Sequence, residues 1–180
     1  MQEIRFYGRG GQGLVVASYV LANALFLEDK YVQAFPFFGV ERRGSPVLAT
    51  TRFADEPIRK RSLDGQSDYL VVFDPGTDGC EEALTRLRPG GFCLVNTNES
   101  PKMYEAAEAI FFDANEVAVR HGLGSAETPI INTVLLGAFA GATGLASMDH
   151  LAEAMRGGYV PARLDSNIAA AREAYERFRS

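Results

Sequence analysis

Residues 8–13 read Gly-Arg-Gly-Gly-Gln-Gly, four glycines in six positions. Each glycine costs about 0.5–1 kcal/mol of backbone entropy against alanine in regular structure. Such a run marks a turn that only glycine makes, or a ligand that needs bare backbone. An apolar stretch, Ile4–Tyr7, precedes it and an apolar, helix-like stretch from Leu14 follows. Within it lies Gly8-x-Gly10-x-x-Gly13. In a strand–turn–helix unit this pattern makes the turn, lets backbone approach a phosphate and packs helix on strand. Amides at the helix start, helped by the helix dipole, then face the anion. The dinucleotide version needs an acidic residue about 20 residues on, at the end of the second strand. Here Glu28 and Asp29 come too early, and Glu41 comes late beside two arginines. Three readings of the turn stay open. One is close packing alone, and one is an anion site built from Gly8, Gly10, Gly11, Gln12 and Gly13. The third is an NAD site in a free-standing nucleotide-binding module or small dehydrogenase.

A second cluster, Phe-Pro-Phe-Phe-Gly-Val-Glu-Arg-Arg-Gly-Ser-Pro-Val, runs from Phe35 to Val47. Arg42 and Arg43 beside aromatics suit planar recognition of phosphate or carboxylate, and they suit a protein interface equally. Arg59-Lys60-Arg61 reads as a solvated loop. Asp74 follows an apolar strand, and carboxyl ends of parallel strands line ligand crevices; Asp before Pro also starts turns. No Ser–His–Asp, Cys–His or paired-carboxylate spacing stands out, so no residue is assigned a catalytic role. The two cysteines, Cys80 and Cys93, read as free buried thiols. With no Cys-x-x-Cys, the chain by itself cannot hold an iron–sulfur cluster or a structural zinc by the usual thiolate patterns. His121 and His150 read as surface or helix-end residues.

The elements around these residues alternate. Continuous apolar strands and amphipathic helices predict a single α/β domain over 1–180, a Rossmann-like layered fold with a mostly parallel sheet. Between Tyr31 and Ile58 no helix appears, which predicts a β-rich insertion after the first helix, with an antiparallel edge. In the first helix Leu14, Ala17, Ser18, Leu21 and Leu25 share a face. Further helices are expected over Glu81–Gly91 with a proline–glycine stop, from Asn115, from Thr128 as cap with Pro129 in the first turn, from Ser147 as cap, and from Asp165 or Ser166 as cap. Gly137 and Gly141 place small residues on one face, for tight packing inside the domain or for a subunit contact.

The 180 residues are 47% apolar and 23% charged, the balance of a globular domain with a full core. A net charge of −5 argues against a nucleic-acid partner. Pro129–Met148 is interrupted by Asn132, two threonines and Gly144, so a buried helix is expected there and no membrane span. The first strand begins at once with Glu3 and Arg5 inside it, which argues against a signal peptide.

Taken together, the glycine turn, the Phe35–Val47 cluster and Ile-Asn-Thr-Val-Leu-Leu-Gly-Ala-Phe-Ala-Gly-Ala-Thr-Gly-Leu from Ile131 resemble the gamma subunit of 2-oxoacid:ferredoxin oxidoreductases, which include the pyruvate, 2-oxoglutarate and 2-oxoisovalerate enzymes. The closing Asn167–Glu176 stretch fits as well. The resemblance covers nearly the whole chain, and Phe37-Phe38 depart from a polar or charged residue common in the family. It implies a cytoplasmic holoenzyme that oxidatively decarboxylates a 2-oxoacid to an acyl-coenzyme A and passes electrons to ferredoxin. It further implies thiamine diphosphate, magnesium and iron–sulfur clusters on alpha, beta and ferredoxin-like delta partners. This chain would be a non-catalytic subunit that helps accommodate coenzyme A. Carried over, Gly10, Gly11, Gln12 and Gly13 match one family motif, and Glu41, Arg42, Arg43 and Gly44 the other.

Overall fold

A computed structural model describes residues 1–37, 44–60, 62, 65–105, 107–157 and 161–179. Six strands form one sheet in the order β2-β3-β1-β4-β5-β6. They are β1 (Gln2–Arg9), β2 (Tyr31–Phe37), β3 (Pro46–Ala54), β4 (Ser67–Val72), β5 (Leu87–Val95) and β6 (Glu108–Phe111). Strands β1, β4, β5 and β6 run parallel, while β3 is antiparallel to both β1 and β2. The expected β-rich insertion is thus the β2–β3 hairpin, inserted so that β3 lies between β1 and the edge strand β2.

One sheet face carries most of the core. Helix α1 (Leu14–Leu27) covers β1, β2 and β3, burying the five residues read as its inner face. Ile4, Phe6, Ala49 and Phe53 meet it from the sheet. Helices α4 (Asn132–Thr143), α5 (Met148–Arg156) and α6 (Pro161–Phe178) complete this side. From Asn132 to Gly141 every residue of α4 is buried, because α4 lies between the sheet, where Phe139 meets the rings of Tyr69 and Phe92, and α6 outside it. The other face is thinner. The short α2 (Cys80–Thr85) and a 3-10 turn at Lys102–Tyr104 cover Leu70, Val72, Cys93 and Val95.

Beneath β1 and β3 on that thinner face, buried charge does the work of a helix. Glu3, Arg5 and Arg52 are all nearly fully buried. The Glu3 carboxylate accepts from Arg5 Nε at 2.8 Å and from Arg52 Nε at 2.7 Å. The outer guanidinium nitrogens donate to the carbonyls of Lys60, Ser62 and Gly65. Two arginines therefore hold the segment after β3 against the sheet. Removing one partner of such a cluster strands a buried charge, at about 3–5 kcal/mol.

Several expected boundaries move. Helix α2 ends at Thr85, and Pro89–Gly91 fall inside the irregular start of β5, where the register shifts against Ser67–Tyr69. A bulge tolerates a proline that a regular strand would not. Thr128 and Pro129 do not open α4. Thr128 Oγ1 pairs with Ser125 Oγ at 3.1 Å and Pro129 bridges Gly124, so the chain stays extended and α4 begins at Asn132. Helix α6 starts earlier than expected, at Pro161, which places Asp165 and Ser166 inside it. Helix α3 (Ala114–Arg120) is capped by Asp113 and α5 by Ser147, whose hydroxyl accepts from His150 N.

Gly137 and Gly141 face α6 in the same chain. A Cβ at either would collide with backbone, the carbonyl of Ala171 or of Tyr175. The small-residue face is internal packing and not a subunit contact. Gly141→Ala is expected to cost about 2 kcal/mol by overpacking and to lower Tm by roughly 4–8 °C for a chain of this size. Thermal unfolding followed by circular dichroism checks it, and an unchanged Tm would contradict the α4–α6 contact.

The end of α1 is tied to the start of α5. Glu28 Oε1 accepts from Ser147 N at 2.6 Å and lies 2.8 Å from His150 Nδ1. Partial burial raises the Glu28 pKa, but the bonds from Ser147 and His150 outweigh that and hold it below its ordinary 4.5. A depressed carboxyl contributes stability above its unfolded pKa and loses it as pH falls through the folded one. The Tm gap between the natural chain and Glu28→Gln should therefore be full at pH 5.5 and shrink below about pH 4.5. The pair is only partly shielded from solvent, so screening keeps the gap small.

Candidate functional site

The chain reverses sheet direction beside β1. Helix α1 leaves β1 on one face, and α2 leaves β4 on the other. Between the carboxyl ends of two such strands lies the crevice where open α/β sheets take ligands. Three sequence features meet there: the glycine turn, the end of the β2–β3 hairpin and Asp74.

Each glycine of the turn has its own task. A Cβ on Gly8 would lie 2.6 Å from Gln12 Oε1 and 2.8 Å from Phe73 Cβ. Gln12 thus folds back into the turn, where Oε1 accepts from Arg9 N at 2.7 Å. A Cβ on Gly13 would lie 2.6 Å from the side-chain nitrogen of Asn132, at the start of α4. Gly10 donates its N–H to Ser45 O at 2.9 Å. Gly11 has open space around it, and its φ of 99° is one that side chains rarely adopt. Gly13, at φ 81°, is the N-cap of α1 and supplies no side-chain cap. Among the described residues, none accepts the N–H of Gly11 or Gly13. Gly8 and Gly13 thus serve packing, while Gly11 and the first turn of α1 present donors that no described residue uses.

The Gly10–Ser45 bond explains why the two motifs belong together. Arg9 pairs with Pro46 in the β1–β3 register, so the residues just after the second motif lie against the glycine turn. Glu41, Arg42 and Arg43 themselves lie outside the described residues, as do Phe38 and Arg61. Phe35 is described: its ring lies 5.6 Å from the Arg52 guanidinium, part of the buried charge cluster.

On the β4 side, Asp74 Oδ2 pairs with Arg9 Nε at 2.8 Å. Asp74 Oδ1 accepts from Gly76 N, and Arg9 Nη2 donates to Gly76 O at 3.2 Å. Arg9 is the cation that sequence reasoning passed over. It occupies the variable position of Gly-x-Gly, and only the strand order shows that this position faces the β4 loop. Asn96, also unremarked, ends β5. Its Nδ2 donates to Phe73 O and its Oδ1 accepts from Ala114 N, both at 2.9 Å, fixing the β4 end to the start of α3. Tyr7 faces the α2 side, where its hydroxyl donates to Asp78 O, and burial foremost raises its pKa.

The cysteines lie away from the crevice, under α2. Both are free and buried. Cys80 Sγ is 3.3 Å from Tyr104 Oη, and burial pushes its thiol up. Burial pushes Cys93 to about 12. His121 closes α3 and contacts Glu173 Oε2 at 2.7 Å, and His150 sits in the first turn of α5. No helix among the described residues is long and apolar enough to cross a membrane.

These features define an α/β domain with an anion-compatible turn at the switch of its sheet and, among the described residues, no catalytic acid–base pair or nucleophile in the crevice. A family model described as pyruvate ferredoxin/flavodoxin oxidoreductase matches residues 3–177. The chain belongs to that family, as a gamma-type subunit of pyruvate or 2-oxoacid:ferredoxin oxidoreductases. It is 48% identical over 179 residues to pyruvate synthase subunit PorC of Methanothermobacter marburgensis, covering 99% of this chain and 98% of that one. It is 44% identical over 181 residues to the common gamma subunit of pyruvate/ketoisovalerate oxidoreductases of Thermococcus kodakarensis, covering 98% and 97%. Among solved structures, pyruvate oxidoreductase subunit PORC of Thermotoga maritima superposes with a TM-score of 0.81 at 31% identity, covering 97% of this chain and 95% of that one. A 2-oxoglutarate:ferredoxin oxidoreductase of Magnetococcus marinus shares the fold with a TM-score of 0.79 at 20% identity, over 98% of this chain and 31% of that longer one.

Thiols this protonated are poor nucleophiles. The folded chain should react with an aromatic disulfide reagent at neutral pH at least 100-fold more slowly than a free thiol, and both cysteines should react at once in guanidinium. Fast labelling of either residue in the folded chain would contradict the burial described here.

Proposed function

We propose that this subunit does no redox chemistry itself and instead holds a phosphate of coenzyme A at the switch-point crevice of a cytoplasmic holoenzyme. In this reading alpha, beta and ferredoxin-like delta partners carry thiamine diphosphate, magnesium and iron–sulfur clusters. The holoenzyme decarboxylates a 2-oxoacid oxidatively, yields the acyl-coenzyme A and passes the electrons to ferredoxin. The donor set of this chain supports the division: two cysteines, both buried with raised pKa values, do not fit a cluster that needs four thiolates.

One observation carries the phosphate reading. The open amides of Gly11, Gly13 and the first turn of α1 lie at the carboxyl end of β1, beside Ser45 and the Arg9–Asp74 pair. Bare backbone at a helix start is a ready anion site. Arg42 and Arg43, three and two residues before Ser45 in sequence, are the proposed cationic helpers, whose planar fork suits phosphate. The structure of the Magnetococcus enzyme holds coenzyme A and succinyl-CoA, which makes the ligand class a concrete one to test.

The test is steady-state kinetics on the reconstituted complex. Arg42→Ala and Arg43→Ala leave the turn intact. Each should raise the Michaelis constant for coenzyme A about tenfold, for a lost charge-assisted contact of ~1.4 kcal/mol. The constant for the 2-oxoacid should stay within about twofold. Unchanged coenzyme A dependence in both variants, with the complex assembled, would leave the glycine turn to packing. Turnover of 2-oxoacid, coenzyme A and a viologen dye by the chain alone would overturn the division of labour.

A further inference from the structure

Helix α1 carries no charged residue along its 14 positions, and it is apolar on both faces. Its inner face is accounted for by the core. Its outer face repeats Val16, Tyr19, Asn23 and Phe26 at helical spacing, with Leu27 beside them. Phe26 is 64% exposed, and Val16, Tyr19, Leu27 and Tyr31, the first residue of β2, lie between 37% and 50%. Of the seven large hydrophobic residues exposed among those described, these five share one stripe. By contrast, α5 and α6 turn Glu153, Arg156, Arg172, Glu173 and Glu176 to solvent. A helix apolar all round is one that is covered on every side. At the C-terminal end of the stripe, Phe26, Leu27, Asp29, Lys30 and Tyr31 line an open cleft of about 420 Å³.

We propose that the outer face of α1 and this cleft form the docking surface for a non-identical subunit of the same oxidoreductase, reached through an apolar helix led by an aromatic side chain. The inference rests on the subunit reading and adds where the subunit is held. Side chains of these types at these exposures offer roughly 500 Å². That is within the range of the largest functional patches on single domains. It falls short of the ~800 Å² that each partner gives to a standard stable interface. A second copy of this chain would bring only an equal stripe. A different, larger subunit makes α1 the apolar centre of an interface whose polar rim lies on both sides. The cleft favours an aromatic anchor. Its lining mixes Phe26, Leu27 and Tyr31 with Asp29 and Lys30, which pairs with Asp55, a fit for a ring with a polar tip. The stripe starts at Val16, one turn from Gly13, and runs for about 17 Å along the helix. The partner on α1 therefore also walls one side of the glycine turn.

The test uses the whole complex, produced together and captured through a tag on the thiamine-binding subunit. Tyr19→Glu and Phe26→Glu should each reduce recovery of this chain in the complex at least tenfold. Glu176→Lys on the outer face of α6 should leave recovery unchanged. The isolated variants should keep their far-ultraviolet circular dichroism, since both side chains are exposed. In the natural complex, amide exchange over residues 14–27 should slow at least tenfold against the free chain, a readout that needs no variant. Normal recovery of both variants, or unchanged exchange over α1, would overturn the docking surface while leaving the subunit reading intact. Failure of the natural chain to co-purify at all would overturn the subunit reading. A dimer of the isolated natural chain that Phe26→Glu converts to monomer would assign the stripe to a second copy instead.

Discussion

Strand β1 pairs antiparallel with β3 on one side and parallel with β4 on the other, and the rest of the architecture follows from that. The parallel side forces a crossover, so the chain after β1 must leave through a helix on one face, while the chain after β4 leaves on the other. The antiparallel side brings the start of β3, and with it Ser45, to the carboxyl end of β1. Two segments more than 30 residues apart are thereby set against one glycine turn. Had β2 paired directly with β1, as in a dinucleotide-binding sheet, its carboxyl end would stand where a ribose-binding acid is needed. Here β2 is displaced to the edge and ends in Phe37, and an antiparallel strand occupies its place. The NAD reading of the glycine fingerprint fails on strand order as much as on the missing carboxylate.

The two faces of the sheet solve the burial problem differently. Over β4 and β5 a helix layer was readable because α4 and α6 keep apolar and small residues in register. Over the outer half of the second face no described residue is helical, and Arg5 and Arg52, anchored on Glu3, bind a loop through its carbonyls instead. The arrangement is costly to desolvate and strongly directional. It gives the loop one seat, where an apolar contact would allow several. The same logic explains why β1 carries charge at alternate positions and β3 at one: Glu3 pairs with Arg52 across the strands, and Arg5 lies two residues further on the same face.

Much of this was legible in the sequence wherever a period or a continuous apolar run spoke for itself. All six strands, the hairpin after α1, the inner face of α1 and the burial of α4 belong to that class. Boundaries governed by long-range pairing were not. Pro129 stays extended because of Gly124, and Pro89–Gly91 sit in a bulge of β5 because β4 pairs with Leu87 before them and Phe92 after them. Gly137 and Gly141 left two readings, since spacing tells that a backbone approaches closely but not whose it is. At the site, glycine identity was readable and the division of tasks was not. That Gln12 turns inward, that Gly13 makes room for Asn132, and that Arg9 reaches Asp74 all depend on elements distant in sequence.

A helix with two apolar faces carries two kinds of information, and a periodicity argument extracts only one. The pattern that assigned Leu14, Leu21 and Leu25 to the core treats the remaining positions as the solvent side, yet in α1 those positions include Val16, Tyr19 and Phe26. A free domain would gain solubility from charge there at no cost to its core, as α5 and α6 do. The glycine turn obeys a similar constraint. Gly11 keeps a positive φ that a side chain would strain, and nothing packs against it. Both features lie on the same helix, one at its start and one along its outer side. On the proposed reading, in which the turn faces a phosphate and a partner subunit covers the stripe, the requirements that shaped both come from outside this domain.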